Sequence, residues 1–149
     1  MINGVRIENK KRIPDVRGAI LHGIKSNELT HDFGEVYFKR LRSGIINGWH
    51  VHDSLQLNYI CVNGALRLVL CDLRPDSPTF NEIQEIVMGA ENYVLVHIPS
   101  GVANATETLS FPDSLLCNIA SQAHNPDLKY RRIDPQSKEI PFDWNKKNF

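Results

Sequence analysis

The chain has 149 residues, of which 42% are hydrophobic and 23% are charged. These values are typical of one globular domain that is large enough to bury a core, so we predict a single domain over residues 1–149. The 17 Lys and Arg residues balance the 17 Asp and Glu residues, and the net charge is zero. Zero net charge argues against bulk electrostatic binding to nucleic acid or to an anionic membrane.

The predicted elements are short β-strands rich in Val, Ile, Leu, Tyr and Phe and separated by Gly, Pro and Asn. In chain order, the predicted strands are Val5–Glu8, Gly18–Ile24, Gly34–Leu41, Ile45–His52, Leu57–Val62, Ala65–Asp72, Ile83–Met88, Tyr93–Ile98, Asn104–Leu109 and Ser114–Ile119. No segment keeps a helical period over about 12 residues, and the best candidate for a short helix is Pro126–Tyr130. We expect the polar residues 145–149 to be frayed. Many short strands at close spacing predict an all-β barrel or jelly roll.

The stretch 48–79 is the most informative part of the chain. His50 and His52 are two residues apart on a predicted strand, so their side chains point to the same face. Asn63-Gly64 lies between two apolar runs and predicts a hairpin turn, because both residue types tolerate positive φ. This pattern places titratable groups inside a β-barrel, and buried polarity of that kind usually marks a functional site.

The cysteines and the apolar runs bear on the compartment. Cys61, Cys71 and Cys117 lie in apolar, strand-like surroundings without the spacing of a metal-binding motif, so we predict reduced, buried thiols. No apolar run approaches the roughly 20 residues needed to span a bilayer, and the N-terminal residues lack the hydrophobic segment of a signal peptide. These features favour a cytoplasmic protein.

Six segments together carry a specific resemblance to a known family. They are Ile13-Pro14-Asp15-Val16-Arg17-Gly18, Phe33-Gly34-Glu35-Val36-Tyr37-Phe38, Gly48-Trp49-His50, Asp72-Leu73-Arg74 with Ser77-Pro78-Thr79, Ile98-Pro99-Ser100-Gly101-Val102 and Ile133-Asp134-Pro135. Their order and spacing, from about Ile13 to Trp144, resemble the dTDP-4-dehydrorhamnose 3,5-epimerase family, a branch of the cupin superfamily. The resemblance implies a cupin jelly-roll β-barrel, a nucleotide-diphosphate keto-sugar as ligand and a homodimer that exchanges N-terminal strands. It implies no metal and no organic cofactor.

The chemistry that this family implies is proton transfer next to a ketone. A base removes a proton from a carbon beside the 4-keto group, a donor holds the enolate oxygen, and an acid returns a proton to the other face. In this chain, His50 matches the family's base and Asp134 matches the carboxylate that orients it. Arginine binds phosphate in a bidentate manner. The candidates for contact with the diphosphate are Arg17, which has the best family support, and Lys39, Arg67, Arg131 and Arg132.

Several family positions hold other residues here. The family's enolate-stabilising lysine falls on Leu57, so we predict that Gln56 or Asn58 polarises the enolate instead. The further departures are Cys117 for a tyrosine acid, Asn104 for a histidine, Asn47 for an arginine and His22 for a glutamate. The predicted substrate-binding residues are thus Arg17, His52, Gln56, Asn58, Asn104 and Cys117. The acid is left open among the substitute phenols Tyr37, Tyr59, Tyr93 and Tyr130.

Three alternatives accompany this prediction. The pair His50-x-His52 also resembles the paired histidines of the cupin 3,4-ketoisomerases. Loss of the lysine and tyrosine favours a non-catalytic sugar- or nucleotide-binding cupin, whereas retention of His50 and Asp134 favours an enzyme. A metal enzyme would use the two histidines with Gln56, but Asn104 stands where cupins supply a further histidine, and Zn or Fe favours three strong ligands. We therefore predict an epimerase or isomerase with an altered site and no metal.

Overall fold

The computed structural model describes residues 1–149 as two five-stranded antiparallel sheets and a separate two-stranded hairpin. The strands are β1 (Arg6–Asn9), β2 (Arg12–Asp15), β3 (Gly18–Leu21), β4 (Glu35–Arg42), β5 (Ile46–His52), β6 (Leu57–Asn63), β7 (Ala65–Asp72), β8 (Ile83–Gly89), β9 (Val94–Ile98), β10 (Val102–Thr108), β11 (Asp113–Ala120) and β12 (Tyr130–Arg132). Sheet I has the order β1-β9-β6-β11-β4, and sheet II has the order β12-β5-β10-β7-β8. The remaining strands, β2 and β3, form the hairpin. The prediction of an all-β fold is confirmed.

The differences from the predicted elements concern short segments. Each predicted strand is present, but β2 and β12 were missed, because each is only three or four residues long and exposed throughout. A 3₁₀ turn at Ser26–Glu28 was missed as well. The helix predicted at Pro126–Tyr130 is wrong: the chain makes a turn after Asn125, and Tyr130 begins β12. Five residues are too few to nucleate an isolated helix, whereas β12 gains backbone hydrogen bonds by pairing with β5.

The main core lies between the two sheets. It is filled by alternate residues of the paired strands, which is the period expected where one side of a strand faces a core. On β6 and β7 these residues are Leu57, Tyr59, Cys61, Leu66, Leu68 and Leu70. The turn between β6 and β7 lies at Asn63-Gly64, as predicted, and Gly64 has a φ of +75°. Glycine adopts this left-handed conformation without steric cost.

Each sheet also buries part of its outer face under a segment that is not a strand. Over sheet I, Ile24 and Leu29 pack against an outer cluster that includes Ile60. Over sheet II, Ile140 and Trp144 of the C-terminal segment pack against an apolar outer cluster. Because the strands are covered on both sides, the central ones are apolar at nearly every position, as in β7.

The C-terminal segment is held in place by Arg67 of β7, which is fully buried. Its Nη2 donates to Oε2 of Glu107 at 2.6 Å and to the carbonyl oxygen of Trp144 at 2.7 Å. Lys147 pairs with the same carboxylate at 2.8 Å. A buried charge is tolerated only when it is paired and hydrogen-bonded, so these contacts are structural. Within residues 145–149, which were predicted to be frayed, the carbonyl oxygen of Lys146 also accepts a hydrogen bond from Nη1 of Arg67 at 2.9 Å.

Asp72 organises the loop that follows β7. Its buried carboxylate accepts hydrogen bonds from Arg74 at 2.8 Å, Ser77 at 2.6 Å and Thr79 at 2.7 Å. Burial works to raise the pKa of Asp72, but these donors outweigh it and hold the pKa well below its usual range. This motif therefore has a structural role in shaping the loop.

Two further predictions concern the cysteine thiols and membrane-spanning segments. Cys61, Cys71 and Cys117 are free and buried, which confirms the prediction of buried thiols. Burial raises the pKa of both Cys61 and Cys71 to about 11, so neither is a thiolate at neutral pH. The structure contains no helix with the length and hydrophobicity needed to cross a membrane.

Candidate active site

A cavity of about 510 Å³ lies between the two sheets, which share no strand pairing. Strand β4 is an edge strand of sheet I and β12 is an edge strand of sheet II, and side chains from both strands line the cavity. The loop 122–128, which connects β11 to β12, forms part of the wall. The titratable residues of β4, β5, β6 and β12 that line the cavity are Glu35, Tyr37, Lys39, His50, His52, Tyr59 and Tyr130. A cavity of this volume is in the range that holds small-molecule ligands.

His50 and His52 share the face of β5 that lines the cavity, as their spacing predicts. The backbone before them approaches β10 closely. A Cβ added to Gly48 would lie only 2.6 Å from the Cβ of Ala105, and the φ of Gly48 is +138°. The pairing of β5 with β10 shifts register at this point. Glycine is therefore needed here, because a side chain would force apart the strands that hold His50 at the cavity wall.

Two side chains hold the imidazole ring of His50. Its Nε2 lies 2.7 Å from Oδ1 of Asn47, and its Nδ1 forms a hydrogen bond with the hydroxyl of Tyr130. An amide oxygen can only accept, so Nε2 carries the proton and Nδ1 is unprotonated. The ring of Tyr130 also stacks on that of His50, with centroids 5.6 Å apart, and lies tilted against that of His52, with centroids 5.0 Å apart. The imidazole of His50 is thus fixed in the tautomer that leaves its Nδ1 able to accept a proton.

Asp134 does not contact His50, which corrects the predicted pairing. It is exposed in the turn after β12, where its Oδ1 accepts a hydrogen bond from the backbone N–H of Gln136 at 2.7 Å. This arrangement is a common use of aspartate in turns. Asn47 holds the imidazole instead. On a regular strand, residues three apart face opposite sides, so only the register shift in β5 brings Asn47 and His50 together.

The environment keeps both histidines neutral at pH 7. Burial, followed by the positive charges of Lys39 and Arg132, lowers the pKa of His50 to about 4. Burial and then Lys39 also lower the pKa of His52. Neutral imidazole is the form that accepts a proton. The two histidines belong to no group of three or more His, Cys, Asp or Glu side chains placed to hold a metal ion.

Asn58 and Cys117 do not reach the cavity, which corrects two predicted contacts. On β6, Leu57 and Tyr59 face the barrel interior, so Asn58 faces the outer side of sheet I. There its Nδ2 donates to the carbonyl oxygen of Ile119 at 2.9 Å. Cys117 packs in the outer cluster of the same sheet. Neither side chain is therefore placed to act on a ligand inside the barrel.

Gln56 and Arg17 also lie outside the cavity walls. The backbone N–H of Gln56 donates to the hydroxyl of Ser121 at 2.9 Å, and its carbonyl oxygen accepts from the N–H of the same residue at 3.0 Å. Arg17 lies at the tip of the β2–β3 hairpin, where it pairs with Asp15 at 2.7 Å. Neither residue is among those that line the cavity, which corrects the prediction of direct ligand contact within one chain. Arg17 is held by a pair two residues away, whereas the backbone of Gln56 is held by Ser121, which is 65 residues away in the sequence.

Asn104 acts on the site through His50. It is buried on β10, and its Nδ2 donates to the backbone carbonyl oxygen of His50 at 3.2 Å. Its Oδ1 accepts a hydrogen bond from the hydroxyl of Tyr59 at 3.1 Å. The predicted contact of Asn104 with substrate is thus replaced by a contact that positions the backbone of β5 next to the imidazole.

Sequence reasoning underestimated the contribution of β4. Glu35, Tyr37 and Lys39 alternate along this strand and all line the cavity. The phenol oxygen of Tyr37 accepts a hydrogen bond from Nδ2 of Asn118 at 2.8 Å, so its own proton is free for donation into the cavity. The period of two along the predicted strand Gly34–Leu41 is the signal that could have grouped these side chains.

Comparisons with known proteins found relatives that match almost the whole chain. The family model described as dTDP-4-dehydrorhamnose 3,5-epimerase matches residues 1–149. The spore coat polysaccharide biosynthesis protein SpsL of Bacillus subtilis (strain 168) is 30% identical over 147 residues, which cover 97% of this chain and 97% of that protein. The probable low-salt glycan biosynthesis epimerase Agl13 of Haloferax volcanii is 27% identical over 145 residues, which cover 95% of this chain and 89% of that protein.

The fold is likewise that of solved structures. A dTDP sugar isomerase from Desulfovibrio desulfuricans G20 superimposes with a TM-score of 0.92 at 24% identity, covering 99% of this chain and 94% of that one. This likeness confirms the predicted cupin jelly roll. The family match along the whole chain and the full-length relative at 30% identity establish the relationship that the six sequence segments indicated. The chain belongs to the dTDP-4-dehydrorhamnose 3,5-epimerase family.

Proposed function

We propose that this chain epimerises a dTDP-linked 4-keto-6-deoxyhexose by moving a proton on a carbon next to the ketone, in deoxysugar or polysaccharide biosynthesis. One observation carries the proposal: a neutral imidazole with an unprotonated nitrogen lines a cavity of about 510 Å³ in a chain of this family. A ketone acidifies the neighbouring C–H bonds, and a positioned base of this kind can remove such a proton. The reaction is an isomerisation, so it needs no oxidant or reductant.

The base in this proposal is His50. Its Nδ1 takes the proton from the sugar carbon, and the electron pair of the C–H bond moves toward the ketone to form an enolate. The Tyr130 hydroxyl that contacts Nδ1 rotates aside as the sugar approaches. The hydrogen bond from Nε2–H to Asn47 is kept throughout, so the ring stays aligned while it carries the extra proton. Asn47 and Tyr130 are therefore positioning residues.

Three of the four candidate tyrosines are poorly placed to act as the acid. The hydroxyl of Tyr59 donates to Asn104 and is fully buried. Tyr93 does not line the cavity, and its hydroxyl donates to a backbone carbonyl oxygen on the outer side of sheet I. The hydroxyl of Tyr130 contacts the base itself, on the same side of the cavity. Inversion requires that the new proton arrive from the opposite side.

Tyr37 meets that requirement, and we assign it as the acid. It lies on β4 of sheet I, whereas His50 lies on β5 of sheet II, and both line the cavity between the sheets. Its proton is uncommitted, because its oxygen accepts from Asn118. Donation of this proton to the enolate carbon completes the inversion, and solvent then restores the phenol. A base and an acid on facing sheets can act on opposite faces of one sugar carbon, which is the arrangement that an epimerase needs.

The altered family positions fit this assignment. The family's lysine position, Leu57, is packed in the main core, and its tyrosine position, Cys117, is packed in the outer cluster. Neither side chain is placed to take part in proton transfer. We propose that other cavity residues carry out these tasks, with Tyr37 taking the place of the missing tyrosine.

We propose a homodimer built on the outer side of β4 and on the β2–β3 hairpin. Val36 and Phe38 of β4 are 46% and 60% exposed, and Ile20 of the hairpin is 63% exposed. Apolar exposure of this kind, on an edge strand and on a hairpin that no sheet covers, is typical of a protein interface. We expect light scattering to give twice the chain mass of 17.0 kDa. Wild-type protein that is monomeric at micromolar concentration would contradict the proposed dimer. The Phe38→Asp variant should be monomeric.

Proton exchange in deuterated water tests the proposed function. Incubated with dTDP-4-keto-6-deoxyglucose, the protein should introduce deuterium at sugar C3, C5 or both and form the corresponding epimer, as followed by NMR and mass spectrometry. Binding of the sugar nucleotide without exchange would contradict the proposal and favour a binding protein. Movement of the ketone to C3 would instead favour a 3,4-ketoisomerase.

A further inference from the structure

Lys39 is the only Lys or Arg among the residues that line the cavity. It lies on β4 of sheet I, and the imidazoles of His50 and His52 lie on β5 of sheet II. Its ammonium group has no hydrogen-bond or ion-pair partner. By contrast, Lys10 and Lys147 each contact a carboxylate, at 2.6 and 2.8 Å. Lys39 is thus an unpaired cation inside the candidate active site.

No group in the cavity neutralises this cation. Glu35 is the only carboxylate among the lining residues, and its Oε2 accepts a hydrogen bond from the backbone N–H of His124 at 2.8 Å. A half-buried ammonium without a partner is costly. Burial, followed by the charge of Arg132, accordingly lowers the pKa of Lys39. A negative charge that forms on the bound ligand would offset the cost of burying the unpaired ammonium group.

The position of Lys39 relative to the base defines which ligand atom it serves. Lys39 on β4 lines the same cavity as His50 and His52 on β5, from the facing sheet, and its charge lowers the pKa of both imidazoles. In an enolate, the charged oxygen is bound to the carbon next to the one that lost its proton. A donor for that oxygen must therefore lie in the same cavity as the base, as Lys39 does.

We propose that Lys39 is a catalytic residue whose ammonium donates a hydrogen bond to the enolate oxygen. The inference rests on the proposed function and deepens it. As His50 takes the proton, the C–H electron pair forms a C=C bond and the π pair of the ketone moves onto oxygen, where Lys39 holds it. When Tyr37 protonates the carbon, the oxygen pair re-forms C=O. Lys39 keeps its own proton, and no redox change occurs.

The alternative role for Lys39 is binding of the diphosphate. The geometry of the sugar distinguishes this role from donation to the enolate oxygen. In a 4-keto sugar joined to its nucleotide at C1, the ketone and the diphosphate lie at opposite ends of the ring. A side chain that serves the carbon beside the ketone is therefore remote from the phosphates. Loss of an enolate donor lowers kcat, whereas loss of a phosphate contact weakens binding of dTDP alone.

Lys39→Met is the informative variant, because it keeps the length of the side chain and removes the charge. We expect kcat for epimerisation of dTDP-4-keto-6-deoxyglucose to fall about 10²–10³-fold, the usual cost of losing one such donor. The Kd for dTDP, measured by calorimetry, should stay within about twofold of the wild-type value. Lys39→Arg should restore part of kcat. Lys138→Met, at an exposed turn outside the cavity, should leave both quantities unchanged.

The pH profile gives a second readout that a purely structural role would not change. Lys39 is one cause of the lowered pKa of His50, so the acid limb of the pH–rate profile should move to higher pH in Lys39→Met. Unchanged kcat in this variant, or weaker dTDP binding with normal kcat, would overturn the assignment of Lys39. Neither result would contradict the proposed function. Wild-type protein that neither exchanges protons nor epimerises would instead refute the proposed function and this inference with it.

Discussion

His50→Gln should lower both deuterium exchange and epimerisation about 10³-fold, within the range that a positioned general base contributes. Glutamine retains an amide that can contact Asn47, but it has no nitrogen that accepts a proton near neutral pH. Because the removal step itself is lost, no enolate forms and both readouts should fall together. Exchange is followed by mass spectrometry of the sugar, and inversion is followed by NMR.

The pH dependence of the wild-type protein checks the same assignment. The pKa of His50 is lowered to about 4, first by burial and then by Lys39 and Arg132. A base works only in its unprotonated form, so kcat/KM should be level near neutral pH and fall as the pH drops through about 4. A limb at the ordinary histidine pKa of about 6.5 would show that the active base has a different environment.

The controls for His50→Gln separate chemistry from folding. His22→Gln makes the same chemical change at an exposed histidine outside the cavity and should leave the rates unchanged. Circular dichroism and the Kd for dTDP should be the same in both variants and the wild type. Wild-type rates in a folded His50→Gln protein would disprove the assignment of the base.

Tyr37→Phe is expected to separate exchange from inversion. Without the phenol proton on the sheet I side, the enolate forms normally and is reprotonated by His50 from the face that it left. Because the imidazolium exchanges its proton with solvent, deuterium should enter the sugar at a rate within about tenfold of wild type, while the epimer forms about 10²–10³-fold more slowly. Time courses of deuterium content and of the epimer in one reaction measure both.

Tyr130→Phe is the matched comparison, since it removes a phenol from the other side of the cavity. Tyr130 contacts the base, so this variant should change exchange and inversion by the same factor. If Tyr130→Phe instead separated the two rates while Tyr37→Phe did not, the acid would be Tyr130. Loss of exchange together with inversion in Tyr37→Phe would also contradict its role as the acid.

The neutral partner of His50 has a consequence for these predictions. A carboxylate beside an imidazole favours the charged ring and raises its pKa. Asn47 is uncharged, so it fixes the orientation of the ring without raising the pKa. The imidazolium that forms during the reaction must then be stabilised by the ligand's own negative charge. Asn47 therefore favours a base that is neutral before the reaction and becomes charged only as the enolate forms.

The sequence by itself determined the fold class and the central pair of the site. Alternation of apolar residues and the Asn63-Gly64 turn predicted the strands, because the period of two is a local property of a β-strand. The same period placed His50 and His52 on one face, and both line the cavity. The six spaced segments indicated the family, which the match over residues 1–149 confirmed.

Only the tertiary structure decided which partners surround His50. Asn58 and Cys117 were predicted to contact the ligand. The packing of sheet I against sheet II decides which face of each strand meets the interior, and both side chains lie on the outer face. Asn47 reaches His50 because β5 shifts register against β10, an event that depends on both strands.

The acid and the cation of the site were decided in the same way. Tyr37 and Lys39 come from β4, which meets β5 only through the packing of two sheets. Local periodicity specifies the face of a strand. The opposing strand, and hence the chemistry between the faces, is specified by long-range packing, which no single segment of the sequence encodes.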